Sequence, residues 1–140
     1  MPNVESLVEN ILFDVHNKKQ YRTPLLKLLV NEILGDIRES LVRKQCPYCG
    51  KQFITFNALK SHIVVNHRHA LVNNVSIVVQ VYRHIKSRML RGSSGVSLCI
   101  GSIDNCVEEY RFRNIESMTL WLKRNKGVLS NIISIALKNS

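Results

Sequence analysis

Two cysteines and two histidines in the middle of the chain constrain its fold more than any other feature. Cys46, Cys49, His62 and His67 follow the spacing C-x2-C-x12-H-x4-H. A tight turn brings two such thiolates together, and histidines about one helical turn apart share a face, so the four donors suit a tetrahedral Zn²⁺ ion. Protein side chains fill all four positions, which predicts one structural Zn²⁺ with no open position for water or substrate.

Residues 46–67 resemble the classical C2H2 zinc finger in their apolar residues as well as in their ligands. Phe53 lies four residues after the second cysteine, and Leu59 lies six residues later and three before the first histidine. The resemblance implies a ββα unit with a hairpin over about residues 44–53, a helix over about residues 56–67, and the Phe and Leu beneath the metal. Two buried side chains stabilise such a unit by only about 1.5–3 kcal/mol each, whereas structural zinc supplies about 10–16 kcal/mol.

The resemblance also indicates which side chains would face DNA. Family members that bind DNA place the helix in the major groove, and their base-reading positions correspond here to Thr55, Ala58 and Ser61, with Asn57 beside them. None of these is Arg or Lys, the commonest reader of guanine, whereas Asn57 suits adenine and Ala58 suits a thymine methyl. The expected base readout is therefore weak.

The charge of the chain points to a polyanionic partner. Twenty Lys and Arg against ten Asp and Glu give a net charge of +10, and no acid occurs between Glu39 and Asp104. Such a basic stretch indicates nucleic acid, expected here to be double-stranded DNA held through its phosphates. The alternative is a solvated surface that only keeps the protein in solution. The predicted phosphate-contacting residues are Lys51, Lys60, Arg68, Arg83, Lys86, Arg88 and Arg91.

The amino-terminal segment has the pattern of two amphipathic helices. Apolar residues recur at helical intervals over residues 4–15, with Glu9 among the polar residues on the other side. Thr23 and Pro24 then supply a cap and a first-turn proline for a second helix that is expected to reach about Lys44. The pair would pack on the carboxy-terminal part or on a second copy in a homodimer. Membrane-surface binding is not expected, because the polar face of the first helix is acidic.

After the finger, the pattern predicts a helix, a β-hairpin and further helices. Asn73 and Asn74 are expected to cap the first helix, although residues 75–82 are equally rich in strand formers. A loop over residues 92–95 and two strands over residues 96–100 and 107–112 should follow. Two more helices come next: Asn114 is expected to cap the first of them, Gly127 to separate them, and the last to cover residues 128–137.

Two further cysteines, Cys99 and Cys106, fall in or beside this hairpin. They would form a disulfide, bind a second metal with His69 or His84, or remain two ordinary thiols. Two ordinary thiols are the preferred interpretation. The zinc ligands must be reduced thiolates, which favours an intracellular setting.

The expected fold class is α+β: a helical pair, one ββα zinc finger, and a helix, hairpin and helices. The expected domains are a packing or dimerisation segment (1–44), the zinc finger (45–69) and a basic α+β domain (70–140).

The expected function is that of a zinc-dependent DNA-binding protein acting as a transcriptional regulator. The alternatives are a protein–protein interaction adaptor with a structural finger, or an RNA-binding protein. An enzyme is not expected, because the sequence shows no nucleophile with its base, no carboxylate pair and no open metal site. No apolar run approaches the roughly 20 residues of a membrane span, and the amino terminus has no signal-peptide pattern.

In size and composition the chain is also similar to small C2H2 proteins of archaeal viruses, a viral likeness that covers no motif beyond the finger. The expected location is intracellular: the host cytoplasm for a viral protein, or the nucleus for a eukaryotic one.

Overall fold

A computed structural model describes residues 4–13, 23–92, 95–101 and 106–138. These residues form seven helices and one three-stranded antiparallel sheet, which confirms a mixed α+β fold. The chain has two compact units, Met1–Val78 and Val79–Ser140. In chain order the elements are α1 (Val4–Phe13), α2 (Pro24–Ile33), α3 (Gly35–Val42), α4 (Phe56–Asn66), α5 (Arg68–Arg88), β1 (Met89–Gly92), β2 (Gly95–Gly101), β3 (Cys106–Phe112), α6 (Ile115–Arg124) and α7 (Lys126–Lys138).

In the first unit, α1 and α2 both pack against α3. The amino-terminal cap of α2 forms as predicted: the Leu26 N–H donates to Thr23 Oγ1 at 3.3 Å, and Pro24 is the first helical residue. The apolar stripes of these helices are buried, which accounts for their amphipathic pattern. Their buried apolar residues are Val8, Ile11, Leu12, Leu25, Leu26, Leu28, Leu29, Val30, Leu34 and Leu41.

The second predicted helix is in fact two helices. It breaks at Leu34, whose backbone is not helical and whose N–H donates to the Val30 carbonyl at 2.7 Å, closing α2. Gly35 then begins α3. Glycine costs about 1 kcal/mol more than alanine inside a helix, so this position favours a break in a stripe that otherwise reads as continuous.

Glu9 is not on an exposed polar face. Its side chain is buried, and the carboxylate lies 4.0 Å from Lys27 Nζ of α2. The expectation that Glu9 faces solvent is therefore wrong, because a neighbouring helix covers that side of α1.

The hairpin predicted over residues 44–53 is represented by a single isolated bridge, between Gln45 and Gln52. Two backbone hydrogen bonds flank this bridge: Cys46 N–H donates to the Lys51 carbonyl and Phe53 N–H to the Lys44 carbonyl, both at 2.8 Å. The chain thus folds back on itself here, but the turn at the cysteines leaves too few residues for two regular strands.

Helix α5 follows α4 after one residue, His67. The helical interpretation of the segment rich in strand formers is confirmed, but the cap predicted at Asn73 and Asn74 is wrong, because both residues lie inside α5. Leu71, Val75 and Val78 are buried at helical spacing, so packing overrides the strand propensity of this segment.

In the second unit, β2 lies between β1 and β3, and both pairings are antiparallel. The helical spacing of apolar residues in the sequence runs on to Met89, but this residue belongs to β1, which pairs with β2, Met89 opposite Leu98. At Gly95 a side chain would collide with the Phe112 carbonyl, so only glycine allows this close strand approach. The two predicted strands are confirmed.

The remaining helices pack together, and α6 also contacts β2 and β3. The predicted cap is confirmed, because the Ser117 N–H donates to Asn114 Oδ1 at 2.8 Å. The break between the helices falls at Asn125 and not at Gly127, which lies within α7. Buried apolar residues on these helices form part of the core of the unit; they are Met118, Leu122, Leu129, Ile132 and Ala136.

The interpretation of Cys99 as an ordinary thiol is wrong. Cys99 is buried on β2 and disulfide-bonded. The side chain of Cys106 lies outside the part of the chain whose side chains are described.

Candidate metal centre

The first two donors lie in a tight turn over residues 46–49. The Gly50 N–H donates to the Cys46 carbonyl at 2.9 Å, and Gly50 has φ +81°. This left-handed conformation favours glycine, which explains the residue directly after the second cysteine. The Gln45 side-chain amide donates to the Gly50 carbonyl at 3.0 Å and holds the turn from outside.

The two histidine donors lie on α4 and at its carboxy-terminal cap. The helix begins after Thr55, whose Oγ1 accepts the Ala58 N–H at 3.1 Å, a typical amino-terminal cap. Leu59 and Ile63 are fully buried. His67 is the carboxy-terminal cap residue, and its N–H donates to the Ile63 carbonyl at 2.7 Å.

The four predicted donors converge. Their ligand atoms all lie within 4.8 Å of one another, and Cys49 Sγ is 3.2 Å from His62 Nε2. Zinc bond lengths of about 2.3 Å to sulfur and 2.0–2.1 Å to nitrogen place ligand atoms about 3.3–3.8 Å apart in a tetrahedron. Two soft and two borderline donors at these separations fit one tetrahedral ion, provided that the widest pair closes by about 1 Å.

The electrostatics of the donors are consistent with metal binding. Burial raises the pKa of the Cys46 thiol, so without a cation this sulfur keeps its proton. Loss of hydration and the nearby His67 and Lys51 lower the pKa of His62, which favours the neutral imidazole that coordinates metals. A divalent cation stabilises both thiolates that the site must supply.

Two aromatic rings lie against the histidine donors. The ring centroids of Phe53 and His62 are 4.8 Å apart, and those of Tyr48 and His67 are 5.4 Å apart. Phe53 therefore lies beside the donors, as the resemblance predicted, whereas the contact of Tyr48 was not predicted.

Tyr48 also ties the cysteine turn to α5. Its hydroxyl donates to Asn74 Oδ1 at 2.6 Å, and burial raises the pKa of Tyr48 to about 12. The two residues are 26 positions apart. The sequence carried no signal for this pair, because the pattern placed Asn74 at a helix cap.

Asn66 contacts the first histidine. Its side-chain amide donates to the His62 carbonyl at 3.1 Å and lies 3.3 Å from His62 Nδ1. His62 Nε2 faces Cys49, so Asn66 lies beside the outer ring nitrogen, Nδ1.

The predicted base-reading residues are all exposed on or beside α4; they are Thr55, Asn57, Ala58 and Ser61. The Thr55 hydroxyl already caps the helix, so its oxygen is partly engaged. The face that they form carries no charge.

The predicted phosphate-contacting residues of the first unit differ in exposure. Lys51 and Arg68 are exposed, whereas Lys60 is half-buried. Lys51 Nζ lies 5.6 Å from the centre of the Phe53 ring, and Arg68 is the first residue of α5.

The predicted phosphate-contacting residues of the second unit lie at the end of α5 and after it. Arg83 and Lys86 are three residues apart and share a helical face, with Lys86 Nζ 5.8 Å from the Tyr82 ring centre. Arg88 is half-buried, and its Nε is buried without a hydrogen-bond partner. On one continuous helix Arg91 would lie near Arg83 and Lys86, but it lies on β1 instead.

The apolar residues in and around α4 differ in exposure. Ile63 is buried, but Val65 is 80% exposed and Ile54 is 91% exposed. These two are the most exposed large apolar side chains among the described residues.

Among the described residues, no helix is both long and apolar enough to cross a bilayer. No protein-family model matches the chain, and no curated protein or solved structure shows significant similarity to it.

Proposed function

We propose that the chain is a C2H2 zinc-finger protein that binds duplex DNA and regulates transcription. One structural Zn²⁺ would be held by Cys46, Cys49, His62 and His67. The observation that carries the proposal is the convergence of these donors within 4.8 Å. The bound ion would hold the cysteine turn against α4, and with it the side chains that this helix exposes.

The DNA part of the proposal rests on charge. Every charged residue between Glu39 and Asp104 is basic, and the chain has a net charge of +10. Exposed cations such as Lys51, Arg68 and Arg83 suit phosphate oxygens, whereas α4 offers little for reading bases. Affinity would therefore come mainly from the DNA backbone, with a strong dependence on salt.

Native mass spectrometry of the reduced protein tests the zinc site. We expect one Zn²⁺ per chain, lost in a Cys49→Ala variant. The control is Ser87→Ala, an exposed change outside the site, which should leave zinc binding unchanged. A protein that is fully folded and free of metal would contradict the proposal.

Titration of duplex DNA at several salt concentrations tests the second part. If about four to six cations contact phosphates, the logarithm of the binding constant should fall with the logarithm of salt at a slope of about −4 to −5. A flat response would contradict DNA binding through phosphates.

A protein-interaction adaptor is the second candidate, and the exposure of Ile54 and Val65 favours it. A docked partner would cover these side chains, which lie near the two ends of α4. An adaptor would bind zinc equally well but would show no salt-dependent affinity for DNA.

A further inference from the structure

A small cavity lies within the second unit, between α5, β2 and α7. Its volume of about 20 Å³ is enough for one guest little larger than a water molecule. Two polar side chains, those of His84 and Arg88, line it. The other lining side chains are apolar, with Ile85, Leu98 and Ile132 among them. An apolar cavity with a few polar groups is the usual form of a binding site for a small guest.

Arg88 brings a buried hydrogen-bond donor to this cavity. Its Nε is buried and has no hydrogen-bond partner among the described residues. Buried N–H groups almost always have a partner, which is protein, water or an ion, and a guanidinium group keeps its charge at any ordinary pH. None of the described residues that line the cavity is a carboxylate. The partner of this donor must therefore come from outside these side chains.

His84 places a second donor on the same side of the cavity. It lies four residues before Arg88, so the two side chains share one face of α5. Burial, and then the charge of Arg88, lower the pKa of His84. The second cause indicates a positive potential at this face that a negative guest would offset. An imidazole N–H can donate to such a guest beside the guanidinium.

Size and chemistry narrow the guest to an anion of a single atom. A buried water typically makes two to four hydrogen bonds and has to accept as well as donate, whereas the polar side chains here are a guanidinium and an imidazole. A halide ion needs donors only. Carboxylates and phosphates, the phosphodiester of DNA included, are too large for a cavity of about 20 Å³. The apolar lining strengthens the attraction between a bound anion and Arg88.

We infer that the second unit binds one halide ion, chloride or bromide, between Arg88 and His84. The ion neutralises a partly buried charge and joins α5 to the apolar side chains of β2 and α7. Because it binds the folded chain, it stabilises this unit. The inference is independent of the proposed function, and it removes Arg88 from the residues that are free to contact DNA phosphates.

Nuclear magnetic resonance of the zinc-loaded, ¹⁵N-labelled protein tests the site directly. The Arg88 Nε–H and the His84 ring signals are followed while chloride or bromide replaces gluconate at constant ionic strength. Constant ionic strength keeps the screening of exposed charges unchanged, and gluconate is too large for the cavity. We expect both signals to shift and to saturate with either halide, and the pKa of His84 to rise when the ion is bound.

Variants of α5 test whether Arg88 holds the ion. Arg88→Gln should weaken halide binding, followed at His84, about tenfold or more, because a hydrogen bond to a charged group is lost. Arg88→Lys keeps the charge but lacks Nε–H, so it should also weaken binding, and it serves if Arg88→Gln does not fold. Arg83→Gln is the matched control: it removes the same charge from an exposed position of α5 and should bind halide like the unchanged protein.

Three results would overturn the inference. Signals that respond equally to chloride, bromide and gluconate would show a general salt effect and no site. An Arg88 Nε–H that contacts a water molecule and ignores both halides would assign the cavity to water. A shift of the Arg88 signal with duplex DNA but not with halide would make Arg88 a phosphate contact. None of these results bears on zinc binding, which the metal content of the protein reports separately.

Discussion

Replacing Tyr48 with phenylalanine should weaken zinc binding although Tyr48 is not a ligand. Its hydroxyl is the group that joins the cysteine turn to α5, donating to Asn74 Oδ1 at 2.6 Å. Both side chains are half-buried, so the Tyr48→Phe change leaves an amide oxygen without its donor.

The size of the effect follows from that lost hydrogen bond. A hydrogen bond of this kind contributes about 0.5–1.5 kcal/mol. If it forms only when the metal organises the turn, its loss weakens zinc affinity by about two- to twelvefold. The Phe ring keeps the contact with His67, so the change isolates the hydroxyl.

Competition for Zn²⁺ with a chromophoric chelator measures this affinity. Asn74→Ala should weaken binding by a similar factor, and the double variant should be little worse than either single one, because the same bond is lost in each case. Asn73→Ala, an exposed change at the neighbouring position of α5, is the matched control. Additive effects of the two changes, or an equal effect of the control, would refute the reasoning.

Three further outcomes are expected. Removal of the metal by a chelator should abolish the absorption spectrum of the cobalt-substituted protein, and Cys49→Ala should prevent that spectrum from forming. Either change should expose the amides of α4 to hydrogen exchange, because the metal would hold that helix against the cysteine turn. Arg83→Gln and Lys86→Gln should weaken DNA binding on every sequence alike and should each reduce the salt slope by about 1; loss on one sequence only would contradict backbone contact. Burial and Arg88 lower the pKa of His84 below 6.5, so the unfolded chain binds the proton more readily and stability falls as the pH drops from 6.5 towards the folded-state pKa. Histidine NMR titration checks this, and Arg88→Gln should raise the pKa.

Features set by neighbouring residues could be predicted from the sequence. The caps at Thr23 and Asn114 form as expected, because each side chain bonds an amide three residues away. The donor set could be predicted for the same kind of reason: ligand type and spacing leave few arrangements other than convergence on one ion.

Features that depend on distant partners could not be predicted. Apolar residues keep their helical spacing as far as Met89, and only the pairing of residues 89–92 with β2 makes this segment a strand. Leu34 interrupts a stripe that reads as unbroken, and Glu9 is buried with its carboxylate 4.0 Å from Lys27 Nζ on another helix. The hydrogen bond from Tyr48 to Asn74 spans 26 residues, so no local pattern could reveal it.

The placement of His67 links the candidate metal centre directly to α5. His67 is the one residue between α4 and α5: its N–H closes the first helix on Ile63, and its carbonyl accepts the Leu71 N–H at 3.0 Å. A metal bond to this imidazole therefore restrains the residue at which the two helices meet. The Tyr48 hydroxyl adds a second tie, one to two turns further along α5. Zinc in this chain would thus stabilise the start of a 21-residue helix as well as the cysteine turn, because α5 begins directly after the last donor.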